Sequence, residues 1–200
     1  MTVAALYIDP RGPYPKLLGP ELCWDEARDA RTYAGPWPVV AHPPCGPWGR
    51  LRHLCTKQDR SLAIAAVWQV RACGGVLEHP QCSKLWGYCD LPGPRGHRTA
   101  RGQFDEFGGF SIQVAQVAWG HVAEKLTWLY FVGVDIERVL SSMQTGGTAT
   151  HCVSRDAERA HRNGYTLRRT SSATNRRTPV AFAEWLISLA EQANARKAAE

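Results

Sequence analysis

The 200-residue chain lacks any run of about 18 apolar residues, so no segment reads as a membrane-spanning helix. Its opening residues, Met-Thr-Val-Ala-Ala-Leu-Tyr-Ile-Asp, lack the basic-then-apolar layout of a secretory signal, which points to a cytoplasmic protein. It has no internal repeat and no long low-complexity segment. Cysteine is neither dense nor even in number, with seven scattered along the chain. A disulfide scaffold would be shorter and richer in cysteine, so the thiols are expected to be reduced and free for catalysis or metal binding.

What is present fits one α/β domain over 1–200. An apolar content of 44% is ordinary for a folded core, and the length suits one domain. The formal net charge is +6, and the basic residues crowd into Arg95–Arg101 and Arg155–Arg177. Such an excess suits a polyanionic partner, DNA or a nucleotide, against the alternative of a solvated basic surface. Eight tryptophans offer rings for base stacking, although most tryptophans are core.

Along the chain, Ala4–Ile8 reads as a short strand stopped by Asp9-Pro10-Arg11-Gly12-Pro13. Trp24–Arg31 reads as a short helical or turn segment. Pro38–Ala41 reads as a buried strand entering a rigid loop, His42-Pro43-Pro44-Cys45. Asp59 is expected to cap a helix over Arg60–Cys73 with Leu62, Ala65, Ala66, Gln69 and Val70 near one face, ended by Gly74-Gly75. Val76-Leu77-Glu78 is the next strand, and strand–helix–strand with short joins implies a parallel sheet. The stretch 81–109 reads as a long surface loop. Thr127–Val134 is a strong strand. Ser141–Arg177 is polar and gives no clear pattern. Thr178-Pro179 opens a C-terminal helix, 178–195, with Phe182, Trp185, Leu186 and Leu189 on its apolar face.

In an open parallel sheet, ligands bind beyond the carboxyl ends of the strands. Two such ends carry reactive groups: Cys45 on one and Glu78 on the other. A thiolate can add to an electron-poor ring carbon while a carboxyl group holds the ring nitrogen that takes up charge. The bland alternatives are a small buried cysteine and an acid that caps or pairs elsewhere. His42 and His79 flank both motifs, with structural hydrogen bonds as the simpler role. His79, Cys82, Cys89 and His97 are a weak zinc alternative, since only the first gap suits a metal turn; otherwise no metal is expected.

Pro43-Pro44-Cys45-Gly46-Pro47-Trp48-Gly49 resembles the Pro-Cys-Gln-Pro-Phe-Ser loop of DNA cytosine carbon-5 methyltransferases. Glu78-His79-Pro80 resembles that family's Glu-Asn-Val motif, whose glutamate contacts ring nitrogen 3 of a flipped cytosine. Trp119-Gly120, then Lys125 and Thr127, then Trp128–Gly133, resembles a third motif in which Tyr-Gly precedes two arginines and an apolar strand. Arg176-Arg177-Thr178-Pro179 resembles a later Arg/Thr-Pro element. The resemblance covers 37–133, about half the chain. It implies a Rossmann-like methyltransferase-type sheet, mostly parallel, reduced in size, with a C-terminal helix. It implies Cys45 as the nucleophile toward ring carbon 6 and Glu78 as the nitrogen-3 partner. Lys125 and Thr127 would orient the base or backbone, with Pro44, Trp48 and His121 lining the substrate pocket.

The departures are equally informative. The family's Phe-x-Gly-x-Gly-Gly turn binds S-adenosylmethionine, and Asp9-Pro10-Arg11-Gly12-Pro13-Tyr14 is no such turn. Asp9, Gly12 and Asp29 are the residues left as a remnant of that cofactor site. No target-recognition domain is seen. The resemblance therefore suggests a compact, phage-type enzyme working in a host cytoplasm. The competing reading is a nucleic-acid or nucleotide binding module that keeps the base pocket without the cofactor.

Overall fold

The computed structural model describes residues 2–56, 59–94, 104–153 and 167–197. In chain order the elements are β1 (Ala4–Leu6), α1 (Tyr14–Leu18), β2 (Cys23–Trp24), β3 (Val39–Ala41), α2 (Ser61–Cys73), β4 (Gly75–Pro80) and α3 (Leu85–Tyr88). Then come β5 (Phe110–Ala115), β6 (Leu126–Val132), α4 (Ile136–Ser142), β7 (His151–Cys152), β8 (Arg168–Arg169), α5 (Ser172–Arg176) and α6 (Val180–Lys197). Six strands form one sheet in the order β2-β1-β3-β4-β6-β5. β2, β1, β3 and β4 run parallel, while β6 is antiparallel to both β4 and β5. β7 and β8 pair separately as a short parallel ribbon.

The β3–α2–β4 crossover forms as the sequence implies. The helix starts at Ser61 with Arg60, not Asp59, at its N-cap, and Asp59 accepts from the Ser61 amide at 2.8 Å from one residue further out. The helix closes where the Gly74 amide donates to the Val70 carbonyl at 2.9 Å. Gly75 pairs with Val39 across the sheet, and a side chain there would collide with the Val39 backbone. Its φ of 113° adds a second reason for glycine.

The strands are apolar on both faces, as a sheet covered on both sides requires. Val40, Val76, Leu129 and Phe131 face a layer with Phe182, Leu186 and Leu189 of α6 and Val139 of α4. Val39, Ala41, Leu77, Trp128 and Tyr130 face Ala63, Ala66, Val67 and Val70 of α2. A fully buried leucine or phenylalanine of this kind contributes about 2–3 kcal/mol. The apolar face expected on α6 is the buried one. On α2 the buried stripe is Ala63, Ala66, Val67, Val70 and Cys73, rotated from the expected face, and Trp68 is 54% exposed. Small residues win that face because the helix lies close against the sheet.

Other expectations are corrected. Trp24 belongs to the edge strand Cys23–Trp24, while the rest of the expected helical or turn segment is turn followed by a 3-10 helix over Ala30–Thr32. The stretch 81–109 is not all surface loop: Leu85, Trp86 and Leu91 are buried, and 95–103 lies outside the described residues. β5 was not expected at all, although Phe110, Ile112 and Val114 alternate along it. Among the described residues no helix is long and apolar enough to cross a membrane.

Candidate functional site

All six strands of the sheet contribute to one edge. β1 to β4 and β5 end there, and the reversed β6 begins there, with Pro80 of β4 opposite Thr127 and Ala115 of β5 opposite Leu126. The edge therefore collects Tyr7, His42, Cys45, Glu78, Gln116 and Lys125. It also concentrates backbone strain. Tyr7 (φ 58°) follows β1, Cys82 (φ 63°) follows β4, and Lys125 (φ 36°) precedes β6. Each such non-glycine residue costs about 1 kcal/mol and is held by its surroundings.

The Cys45 loop is made rigid locally. Three prolines fix φ around the cysteine, and the Cys45 carbonyl accepts from the Trp48 amide at 3.1 Å and the Gly49 amide at 2.8 Å. Trp48 is 1% exposed and anchors the loop from beneath, with its carbonyl accepting from the Lys84 amide at 3.0 Å. Trp48 is thus a loop anchor instead of a pocket wall, because the hydrophobic ring is drawn into the α2-side core. Cys45 and Pro44 stay exposed.

Glu78 stands on the α6 side of β4 and is tied at both oxygens. His42 Nδ1 lies 3.1 Å from Oε2, and Gln116 Nε2 donates to Oε1 at 3.1 Å. Behind His42, the Tyr14 hydroxyl sits 2.6 Å from Nε2. Behind Gln116, Nε2 also donates to Thr127 Oγ1 at 2.9 Å, and that hydroxyl donates to the Lys125 carbonyl at 3.2 Å. Thr127 is fully buried, so it orients Gln116 and does not face a ligand.

The charges at this edge act on one another. Burial alone would raise the Glu78 carboxyl, but the His42 hydrogen bond and the Lys125 charge, joined by His42 and His79 once those imidazoles are protonated, pull it down to about 2. Loss of water around the Cys45 sulfur, and then the Glu78 charge, raise that thiol on balance, against smaller lowering by its own backbone, Lys125 and Arg176. Burial lowers Lys125, and Glu78 and Cys45 oppose that shift. Lys125 Nζ also donates to the Arg177 carbonyl at 3.0 Å, which brings the residues after α5 to the site. Thiol, carboxylate and ammonium thus lie within electrostatic reach of one another at the carboxyl edge of the sheet.

The remaining expected residues lie elsewhere or are otherwise engaged. His121 is 6% exposed; its Nδ1 accepts from the Ala123 amide at 3.0 Å and its Nε2 reaches the Thr174 carbonyl at 3.2 Å. It is a structural clamp because both ring nitrogens are occupied by backbone. Asp9 binds Arg11 through its amide at 3.0 Å and its guanidinium at 3.1 and 3.3 Å. Asp29 binds Arg31 in the same way, at 3.2, 2.8 and 2.8 Å. The Gly12 amide donates to the Asp9 carbonyl at 2.8 Å. The turn after β1 therefore closes on itself. Both carboxylates are paired within their own loops.

Of the weak zinc set, His79 is fully buried and Cys82 exposed, and His97 lies outside the described residues. Among the described residues no group of three or more His, Cys, Asp or Glu side chains is placed to hold a metal ion. Tyr14, Gln116 and Arg176 were not named as site residues from sequence. Tyr14 and Gln116 join only through side-chain contacts spanning 28 and 38 residues. Compared with known proteins, the chain matches no family model, no curated protein and no solved structure.

Proposed function

We propose that the protein is an enzyme that adds the Cys45 thiolate to carbon 6 of a pyrimidine base, in the manner of DNA cytosine carbon-5 methyltransferases. One observation carries this reading: Cys45, a residue exposed on a proline-fixed loop, holds its thiol in the fields of both Glu78 and Lys125 at the carboxyl edge of the sheet. Addition of sulfur to carbon 6 moves the ring electron pair toward carbon 5. Carbon 5 then takes an electrophile, the original carbon-5 proton leaves to a base, and the thiolate is expelled as the double bond re-forms. With water as the only proton source, the cycle exchanges the carbon-5 hydrogen and leaves the base unchanged. Glu78 holds the ring at nitrogen 3, and Lys125 offsets charge that develops during addition. Arg176, exposed and felt by Cys45, suits a phosphate of DNA or of a nucleotide. A base in duplex DNA must first leave the stack. No step runs through S-adenosylmethionine.

A second reading, a binding module that keeps only the base pocket, is favoured by the closed Asp9 and Asp29 pairs. One experiment separates the two. Pyrimidine nucleotides and oligonucleotides are incubated with the protein in D2O, and loss of the carbon-5 proton signal is followed by NMR. The enzyme exchanges that proton, and Cys45→Ser slows exchange by roughly a thousandfold or more with an unchanged circular dichroism spectrum. Equal exchange by the two proteins sinks the mechanism, and binding without exchange leaves the module.

A further inference from the structure

The groups around Glu78 determine what it can still bind. His42 contacts Tyr14 through one ring nitrogen and Glu78 through the other. A neutral imidazole has one donor and one acceptor nitrogen. Tyr14 is 2% exposed, and burial together with the Glu78 charge holds its phenol protonated well above the usual range. The phenol therefore donates to Nε2, and Nδ1–H points at Glu78. Gln116 is oriented by Thr127: the Thr127 hydroxyl donates to the Lys125 carbonyl, so its oxygen accepts one amide hydrogen and the other goes to Glu78. Each neighbour that hydrogen-bonds Glu78 donates, and its remaining lone pairs can only accept. Lys125 has the opposite character. One of its three hydrogens is used on the Arg177 carbonyl, and an ammonium has no acceptor. The carboxyl edge of the sheet thus offers an acceptor within the field of a donor.

We infer that the base this site takes is of the uracil type, with N–H at ring position 3 and C=O at position 4, and not cytosine. This rests on the thiol-addition reading above. Uracil presents its N3–H to Glu78 and its O4 to Lys125. When the thiolate adds to carbon 6, the negative charge develops on carbon 5 and O4, where the ammonium meets it. Cytosine presents a lone pair to the carboxylate and an amino group to the ammonium, and both contacts are mismatched. A buried site that must leave a polar group unpaired discriminates strongly against the wrong ligand.

The test compares carbon-5 exchange in D2O for deoxyuridine monophosphate and deoxycytidine monophosphate, each normalised to the exchange that a free thiol catalyses. The expected result is a uracil rate at least tenfold above the cytosine rate. Glu78→Gln, whose amide both donates and accepts, should shrink that ratio toward one. Should that variant fail to fold, calorimetric titration of the exchange-dead Cys45→Ser protein gives the same preference from affinities alone. A cytosine rate equal to or above the uracil rate overturns the assignment while leaving the thiol chemistry standing. Absence of exchange with either nucleotide removes both.

Discussion

Two ends of the same sheet edge carry carboxylates, and they are satisfied in opposite ways. Asp9 and Asp29, at the β1–β2 end, each find their arginine two residues further along the chain. Glu78, at the β3–β4 end, finds partners 36 and 38 residues away, on the loop after β3 and just past β5. The first arrangement belongs to the loop and needs no tertiary structure. The second exists only once the sheet is assembled, and its cost of desolvation is met by donors that the fold itself delivers. A carboxylate that the fold must assemble is the stronger candidate for function; one that its own loop neutralises is the weaker.

Acid should break the assembled end first. His79, the residue after Glu78, turns to the α2 side of the sheet, where its imidazole is fully buried beside the Pro44 backbone. Burial lowers its imidazole from 6.5 to about 4. A depressed folded value means the unfolded chain takes the proton first, so stability falls as pH drops from about 6.5 to 4. The loss is roughly 3 kcal/mol over that window. Glu78 behaves as a lowered carboxyl: its contribution is present above 4.5 and is lost only as pH falls toward about 2. Urea midpoints measured from pH 7 to 4 should decline for the native protein and stay nearly level for His79→Phe. Parallel curves for the two proteins would show that His79 is not the acid-sensitive group.

A smaller effect sharpens the electrostatic side of the comparison. Lys125 lowers the Cys45 thiol and Glu78 raises it. Lys125→Met should slow alkylation of Cys45 by roughly three- to tenfold at fixed pH, and Glu78→Gln should speed it. Residue-resolved mass spectrometry reads this, with the exposed Cys82 as the internal reference. Unchanged Cys45 rates in both variants would mean that the three groups do not share a field.

The smallest effect is expected at the other end. Asp9→Asn and Asp29→Asn remove exposed local pairs, which contribute little. Melting temperature and carbon-5 exchange should both stay at the native values. A loss of exchange in either variant would bring the turn after β1 into the site and erase the contrast.

The legible parts of this protein were those whose information is local or periodic. Gly74-Gly75 after an apolar helix, Thr178-Pro179 before another, and the short join from β3 through α2 to β4 all signal structure within a few residues. The Cys45 loop was readable for the same reason, since its prolines act on their own backbone. β5 had a readable alternation at Phe110, Ile112 and Val114, but it follows a Gly- and charge-rich stretch that suggested continued loop. The rotation of α2 could not be read, because Ala63 and Val67 against Leu62 and Ala65 is decided by how closely the sheet approaches.

By itself the sequence determined the crossover, the rigid display of Cys45 and the apolar strand that brings Glu78 to its end, because periodicity and proline act along the chain. Tertiary structure alone decided that β6 runs backwards, that Lys125 thereby reaches the edge, and that Tyr14, His42, Gln116 and Thr127 make Glu78 an acceptor. Those contacts join residues dozens of positions apart, and a side chain's partner at that range is chosen by the geometry of the sheet.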